Sequence, residues 1–381
     1  MNSKLREQQH LNHIDKINLG AFYTPKRYID IVWSMIEPFI DKDTVILDSS
    51  CGYGNFFENR TNYKLLGNDI DKEAYNITKN IFKDIRLFNK NALSNINRSM
   101  FKIDKDDKLI IIGNPPYNDV TSIIRNRIKK ETIIIDSDIK TRDYGISFLL
   151  SYAKLQADTI CVLHPLSYLI KPANFRLLKG LKDNYRLIDS TIIDSATFKE
   201  TSKGISFPII IALYKRDNRG MNFEYIKEYK FKTLEEKTFR LSDFDFISNY
   251  IRKYPIKGKT PKSDDILFWT MRDINALKRN RTFIDKYSYN TIIIDKSKLE
   301  YYIYVDVFKQ FSSHIPYYFG NLDVFIDLNL YERYRYFFIQ EALTRHKFLN
   351  RFFRIDNIDI NLIRQKIVEY FKILLGEHYV Y

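Results

Sequence analysis

Cysteine is nearly absent. Cys51 and Cys161 are the only two in 381 residues, and they lie far apart. They offer no disulfide framework and fit a reducing compartment, the cytoplasm. Two cysteines and six scattered histidines also lack any zinc-ligand spacing, so no metal is expected. No apolar run approaches the ~20 residues that span a bilayer, so no membrane partner is expected. The N-terminal stretch "MNSKLREQQHLNHIDKINLG" is polar and charged, unlike a signal peptide or an anchor. Internal repeats and long low-complexity segments are missing as well. Acidic residues are in deficit, 47 against 61 Lys and Arg, for a formal charge of +14. Such a surplus favours a polyanionic partner, nucleic acid first.

Apolar residues are plentiful, 45 % of the chain, enough to fill real cores. Short apolar runs recur along the first half. "TVILDSS", "KLLGNDID", "LFNKNAL", "KLIIIGN", "DTICVLHP", "LIDSTII" and "SFPIIIALYKR" read as strands. Helical spacing separates several of them, as in "KEAYNITKNIF" and "GISFLLSYAKLQA". Strands alternating with helices imply an α/β, doubly wound, mostly parallel sheet. Ligands bind such sheets at the carboxyl ends of the strands. After "YKRDNRGMN" the alternation fades, and aromatic residues interleave with basic ones, as in "KRNRTF" and "YERYRYFF". A boundary is placed near residue 220, giving domains 1–220 and 221–381.

"LDSSCGYGNFF" ends a strand on Asp48, follows with Gly52 and Gly54, and predicts a helix from about Asn55. Glycines allow close backbone approach to a ligand, and a helix N-terminus favours an anion. A tight strand-to-helix turn would look the same. Asp69 then ends the next strand, where an acid suits the two hydroxyls of a ribose. A helix cap is the alternative there, and Asp71 would serve it equally well. The loop lacks a third glycine and a phosphate-binding lysine, which argues against a dinucleotide and against ATP.

"AFYTP", "LDSSCGYGNF", "GNDID" and "GNPPYN" occur in this order and at these spacings. Together they resemble the S-adenosylmethionine-dependent adenine-N6 DNA methyltransferases of restriction–modification systems. The subgroup is the one with cofactor motifs first and a C-terminal recognition domain. The resemblance covers roughly residues 18–215. It implies a Rossmann-like catalytic domain, followed by an α+β DNA-recognition domain. It implies S-adenosylmethionine as cofactor and S-adenosylhomocysteine as product. Double-stranded DNA is the implied partner, alongside a cognate endonuclease encoded separately.

Carried over by position, Tyr23 and Thr24 close over the methionine part of the cofactor. Asp48, Ser50, Gly52, Gly54 and Phe56 form its loop, with Asp48 facing the methionine amino group. Asp69 takes the ribose and Ile70 packs on the adenine ring. Asn91 stands where the family often has an aspartate for the adenine amino group, a departure from the pattern.

The turn Asn114, Pro115, Pro116, Tyr117 is the implied catalytic element. The N6 amine of adenine is a poor nucleophile, because its lone pair is delocalised into the ring. An amide oxygen on Asn114 and the carbonyl of Pro115 would accept its two hydrogens. Two prolines stiffen the turn and present no competing N–H. Tyr117 offers a face for stacking. A base inside a duplex must flip out to reach such a pocket. That calls for a second aromatic wall, for which Phe198 is the first choice and Phe207 the reserve.

The same tetrapeptide serves RNA adenine and protein glutamine methyltransferases, and a non-catalytic DNA-specificity subunit is a third reading. The ~160 residues beyond the catalytic half, rich in Arg, Lys and Tyr, favour DNA. Arg272, Arg279 and Arg281 are the guanine-reading candidates; Lys257 and Lys259 are assigned to phosphate. No convincing nuclease pattern occurs in 221–381.

Overall fold

A computed structural model describes residues 24–60, 62–117, 133–198 and 206–381. The chain forms two compact units, residues 1–236 and 237–381. The division falls beyond the change of texture near 220. The reason is that Leu234 donates to the Ile192 carbonyl at 2.9 Å, so residues up to 236 pack with the first unit.

The first unit is built on seven strands: β1 (Val45–Asp48), β2 (Lys64–Asn68), β3 (Arg86–Phe88), β4 (Leu109–Gly113), β5 (Thr159–Pro165), β6 (Tyr185–Asp194) and β7 (Pro208–Arg216). Their order across the sheet is β3-β2-β1-β4-β5-β7-β6, and only β7 runs antiparallel to its neighbours. This is the doubly wound α/β sheet that the run of short strands predicts. Strands β1 and β4 are buried along their whole length, so no polar alternation marks them.

Chain order reverses between β1 and β4. The connections from β1 lead outward to β2 and β3, and then return to β4 on the other side. A crevice opens at the carboxyl ends of such a pair.

Three helices frame that crevice. Helix α1 (Lys26–Ile36) buries Tyr28, Ile29, Val32, Trp33 and Ile36, an apolar stripe at helical spacing. Helix α2 (Lys72–Ile81) starts at Asp71, whose side chain accepts from the Glu73 and Ala74 amides. Helix α3 (Tyr144–Lys154) starts at Asp143, which accepts from Gly145 and Ile146.

The second unit holds a three-stranded antiparallel sheet, with Leu267–Trp269 between Phe283–Ile284 and Thr291–Ile293. Helices Leu299–Gln310, Leu328–Arg345 and Ile360–Leu375 complete it. Its core is aromatic. The Tyr304 hydroxyl donates to the Phe325 carbonyl at 2.8 Å and receives the Tyr370 hydroxyl at 3.1 Å. Among the described residues no helix is long and apolar enough to cross a membrane.

Candidate active site

Strand β1 delivers Asp48 to the switch point. Its carboxyl is 1 % exposed, and Oδ1 accepts the Ser50 amide at 3.1 Å. No cation pairs with it among the described residues. Burial pushes its pKa up to about 8 against the pull of the Ser50 N–H, and the Asp69 carboxylate adds to the rise. Strand β4 ends beside it on Gly113, at φ 140°. A Cβ at Gly113 would stand 2.7 Å from Asp48 Oδ1. Only glycine lets these two strand ends lie together.

Asp69 and Asp71 divide the roles left open by the sequence. Asp71 caps α2. Asp69 turns the other way: Oδ2 accepts the Gly52 amide at 2.7 Å, and Oδ1 the Asp71 amide at 2.9 Å. These two bonds fix the plane of its carboxylate at the mouth of the loop. Ile70 beside it is 54 % exposed, an apolar face open to solvent.

Two asparagines that the motifs do not include hold this rim. Buried Asn68 donates to the Ser49 carbonyl at 2.9 Å and to the Lys90 carbonyl at 3.0 Å, and accepts the Lys90 amide at 3.0 Å. It thereby ties the ends of β1 and β2 to the segment after β3. Asn89 donates to the carbonyls of Asp69 and Ile70 at 2.8 and 3.1 Å. A polar residue at the buried end of an apolar strand was the available signal for Asn68.

Other loop residues depart from expectation. The helix expected from Asn55 is a single turn, Asn55–Phe57, after which Glu58 is extended and Asn59 has φ 59°. Phe56 and Phe57 are adjacent and both buried, and Trp33 donates to the Phe56 carbonyl at 2.9 Å. No long helix dipole therefore backs the loop, and Phe56 belongs to the hydrophobic core. Gly52 accepts the Thr78 hydroxyl at 2.7 Å, and Gly54 backs onto Phe82 and Thr78 of the α2 region. Ser50 is half-buried between them and Asp48. The Asn91 amide is engaged locally. Its oxygen accepts the Leu93 amide at 3.0 Å, and its nitrogen donates to the Ile134 carbonyl at 2.7 Å.

The turn after β4 is the centre of the site. The Asn114 amide nitrogen donates to the Thr24 hydroxyl at 3.2 Å. Thr24 is itself buried, just before α1. The Asn114 amide oxygen is buried and has no hydrogen-bond partner among the described residues. Pro115 is buried and Pro116 half-buried. Tyr117 packs against the core beside them, and burial pushes its hydroxyl pKa well up, against the pull of the Asn114 amide. Its seat depends on α3: a Cβ at Gly145 would meet the Tyr117 Cβ at 2.7 Å and the Tyr168 hydroxyl at 2.6 Å. Tyr23 lies outside the described residues.

The aromatic residues expected opposite Tyr117 are placed differently from each other. Phe198 is 2 % exposed, inside the core, with its ring centroid 5.9 Å from that of Tyr28. A ring enclosed in this way offers no face to a base. Phe198 follows a turn that Asp194 caps, and its polar neighbours in sequence concealed the burial. Phe207 is half-buried at the start of β7. Its amide donates to the Ser195 hydroxyl at 2.9 Å.

Phe198→Ala is expected to cost about 3–5 kcal/mol of stability, as for a buried aromatic ring. Denaturant melts check this. A normally stable variant with a raised KM would restore Phe198 to the pocket.

His164 and Cys51 take no part. His164 is fully buried, with Nε2 at 2.7 Å from the Tyr214 hydroxyl and Nδ1 at 3.0 Å from the Pro165 carbonyl. Burial pushes its pKa down to about 4, so it stays neutral. Burial and two nearby acids push the Cys51 thiol up, away from thiolate chemistry.

Residues 9–171 match the N-6 DNA methylase family. Among the curated proteins none matches. Several solved structures are similar. One is described as a modification subunit of a type I restriction enzyme from Vibrio vulnificus. It is 19 % identical over 56 % of this chain and 47 % of its own, with a TM-score of 0.40. The M protein of the type I restriction enzyme EcoKI is 13 % identical over 56 % of this chain and 48 % of its own, with a TM-score of 0.42. A dimethyladenosine transferase from Plasmodium falciparum is 13 % identical over 51 % and 62 %, with a TM-score of 0.34. The chain spans about half the length of the two type I subunits. What it does has to come from its own residues. What the comparison shows is a match of residues 9–171, which carry the buried Asp48, the oriented Asp69 and the Asn114 turn, to the N-6 DNA methylase family.

Proposed function

We propose that this chain transfers a methyl group from S-adenosylmethionine to N6 of an adenine flipped out of duplex DNA, as the methylase of a restriction–modification system. One observation carries the reading. The Asn114 amide is anchored through its nitrogen to Thr24, while its buried oxygen has no partner among the described residues. A buried acceptor left without a donor is costly. An exocyclic amine supplies the missing donor.

The residues around the turn suit the cofactor. Asp48 is a buried carboxyl that lacks a cation, and a methionine amino group provides one. Asp69, with its plane fixed by two amides, suits a ribose diol, and exposed Ile70 suits an adenine face. Bound S-adenosylmethionine supplies an electrophilic methyl group, so the protein's part is positioning and desolvation. Asn114 and the Pro115 carbonyl accept the amine hydrogens, drawing the nitrogen toward a tetrahedral geometry. Tyr117 stacks on the base, and Phe207 is the better placed of the two phenylalanines to oppose it. Phe207→Ala is expected to raise KM for DNA several-fold while the melting temperature holds; an unchanged KM would remove it from the pocket. A cognate endonuclease would be a separate chain that cuts the same site when unmethylated.

The primary test is transfer of labelled methyl groups to unmethylated genomic DNA, with RNA and protein extracts in parallel. Recovery as N6-methyladenine in DNA supports the proposal. Label only in RNA or protein would keep the chemistry and change the substrate. No transfer, together with no cofactor binding, would favour a DNA-binding subunit.

Asp48 gives a pH test. Its raised pKa means the empty site holds a neutral acid at pH 7, whereas pairing with a cationic amine requires the carboxylate. Cofactor binding should therefore release a proton and tighten as pH rises from about 6 toward 8. Calorimetry in buffers of different ionisation enthalpy reads the proton directly. Asp48→Asn should abolish the release; an unchanged proton count would place the linkage elsewhere.

A further inference from the structure

Strand β4 runs into the Asn114 turn, and its neighbour β5 runs into a short helix, Ser167–Ile170. Each delivers a tyrosine, Tyr117 and Tyr168, to the first turn of α3. They meet at the place where Gly145 lacks a side chain. A Cβ there would stand 2.7 Å from Tyr117 Cβ, 2.6 Å from the Tyr168 hydroxyl and 3.1 Å from Tyr168 Cε2. A glycine weakens a helix through its backbone freedom, and these contacts account for this one.

Tyr168 is held firmly. It is 2 % exposed, and its ring stacks on that of His164, with centroids 5.4 Å apart and planes 12° apart. Its hydroxyl donates to Asp143 Oδ1. The same oxygen accepts the Gly145 amide at 2.9 Å and the Ile146 amide at 3.3 Å. Capping α3 requires only the two amides. The third donor arrives from the end of another strand and ties it to the residue that backs Tyr117. The Tyr117 hydroxyl is buried without a hydrogen-bond partner among the described residues. Packing therefore places its ring, and Gly145 is the contact at its root.

We propose that Tyr168 and Asp143 are positioning residues for methyl transfer: their hydrogen bond fixes Gly145, and Gly145 sets where the Tyr117 ring meets the target base. The proposal rests on the reading that Tyr117 stacks on an adenine whose amine Asn114 accepts. Tyr168 and Asp143 act through Tyr117, not on the reacting atoms. A misplacement of about 1 Å in a reacting geometry costs up to ~10²-fold in rate, so a small shift of this ring is enough to register.

The test is the single-turnover rate of transfer from labelled S-adenosylmethionine to unmethylated genomic DNA. Tyr168→Phe removes the hydroxyl and keeps the ring on His164. It should lower the rate by about 10-fold, while the thermal shift caused by the cofactor holds. Asp143→Asn keeps an acceptor oxygen for all three donors and should retain most of the rate. Asp143→Ser still caps α3 but is too short to reach Tyr168, so its rate should fall with that of Tyr168→Phe. Tyr117→Ala separates positioning from general support. In that background Tyr168→Phe should lower the rate no further, because the ring it places is gone. An equal loss in both backgrounds overturns the proposal, as does a wild-type rate in Tyr168→Phe or in Asp143→Ser. Transfer by the wild-type chain distinguishes the two readings. If it is present and Tyr168→Phe matches it, the brace is wrong and the activity stands. If the wild-type chain methylates neither DNA, RNA nor protein, both fall.

Discussion

Asn114→Ala is expected to lower the rate of methyl transfer by about 10²–10³, while cofactor binding survives. The magnitude is that of removing one preorganised hydrogen-bonding group aimed at developing charge. The neighbouring Thr24 hydroxyl stands on the nitrogen side of the amide. The Pro115 carbonyl accepts one hydrogen only. Single-turnover kinetics with labelled S-adenosylmethionine give the rate, and the thermal shift caused by the cofactor reports binding separately. Turnover at the wild-type rate would refute the role of Asn114 as the amine's acceptor. Loss of both rate and thermal shift would make the turn a structural support of the cofactor loop instead.

Gly113→Ala should be the most damaging small change in the first unit. The residue sits at φ 140°, where a side chain is strained by about 1–3 kcal/mol. The added methyl would also stand 2.7 Å from Asp48 Oδ1, and overpacking of that kind costs a further ~1–3 kcal/mol. Stability should fall by several kcal/mol, and cofactor affinity with it, because Asp48 must move. Gly180 provides the control: its Cβ would meet only Ala153 at 3.8 Å, so Gly180→Ala should be neutral or slightly stabilising. The mechanism is separable by a double-mutant cycle. Combining Gly113→Ala with Asp48→Ala removes the clash and leaves the backbone strain, so the two losses should be less than additive. Strict additivity would mean that the strand ends do not contend for the same space.

The short apolar runs of the first half determined a parallel α/β sheet, because strands buried on both faces must be continuously apolar. The order of "FYTP", "CGYGNF", "GNDID" and "NPPYN" determined which strand ends carry the candidate motifs, because spacing along the chain sets which strand each motif closes. In the second unit the aromatic stretch "YYIYVDVF" forms core, with Tyr302, Tyr304, Val305 and Phe308 buried.

Packing decided the rest. Whether Asp69 or Asp71 capped a helix depended on which backbone amides came within reach. Burial of Phe56 and Phe198 depended on α1 lying over them, through Trp33 and Tyr28, which local polarity cannot report. Asn68, at the end of β2, proved a tie to two other strand ends, since its partners are Ser49 after β1 and Lys90 after β3. Asp306 stood unmarked in an apolar helix; its meaning came only when Thr282, Arg345 and His346 closed on it. The sequence by itself determined the fold class and the place of the Asn-Pro-Pro-Tyr turn at a strand end, because both are written in contiguous residues and their period. Only the tertiary structure decided which of these side chains stand at the strand ends and which lie in the core, because that is settled by neighbours distant in the chain, and by whether a buried polar atom finds a partner there.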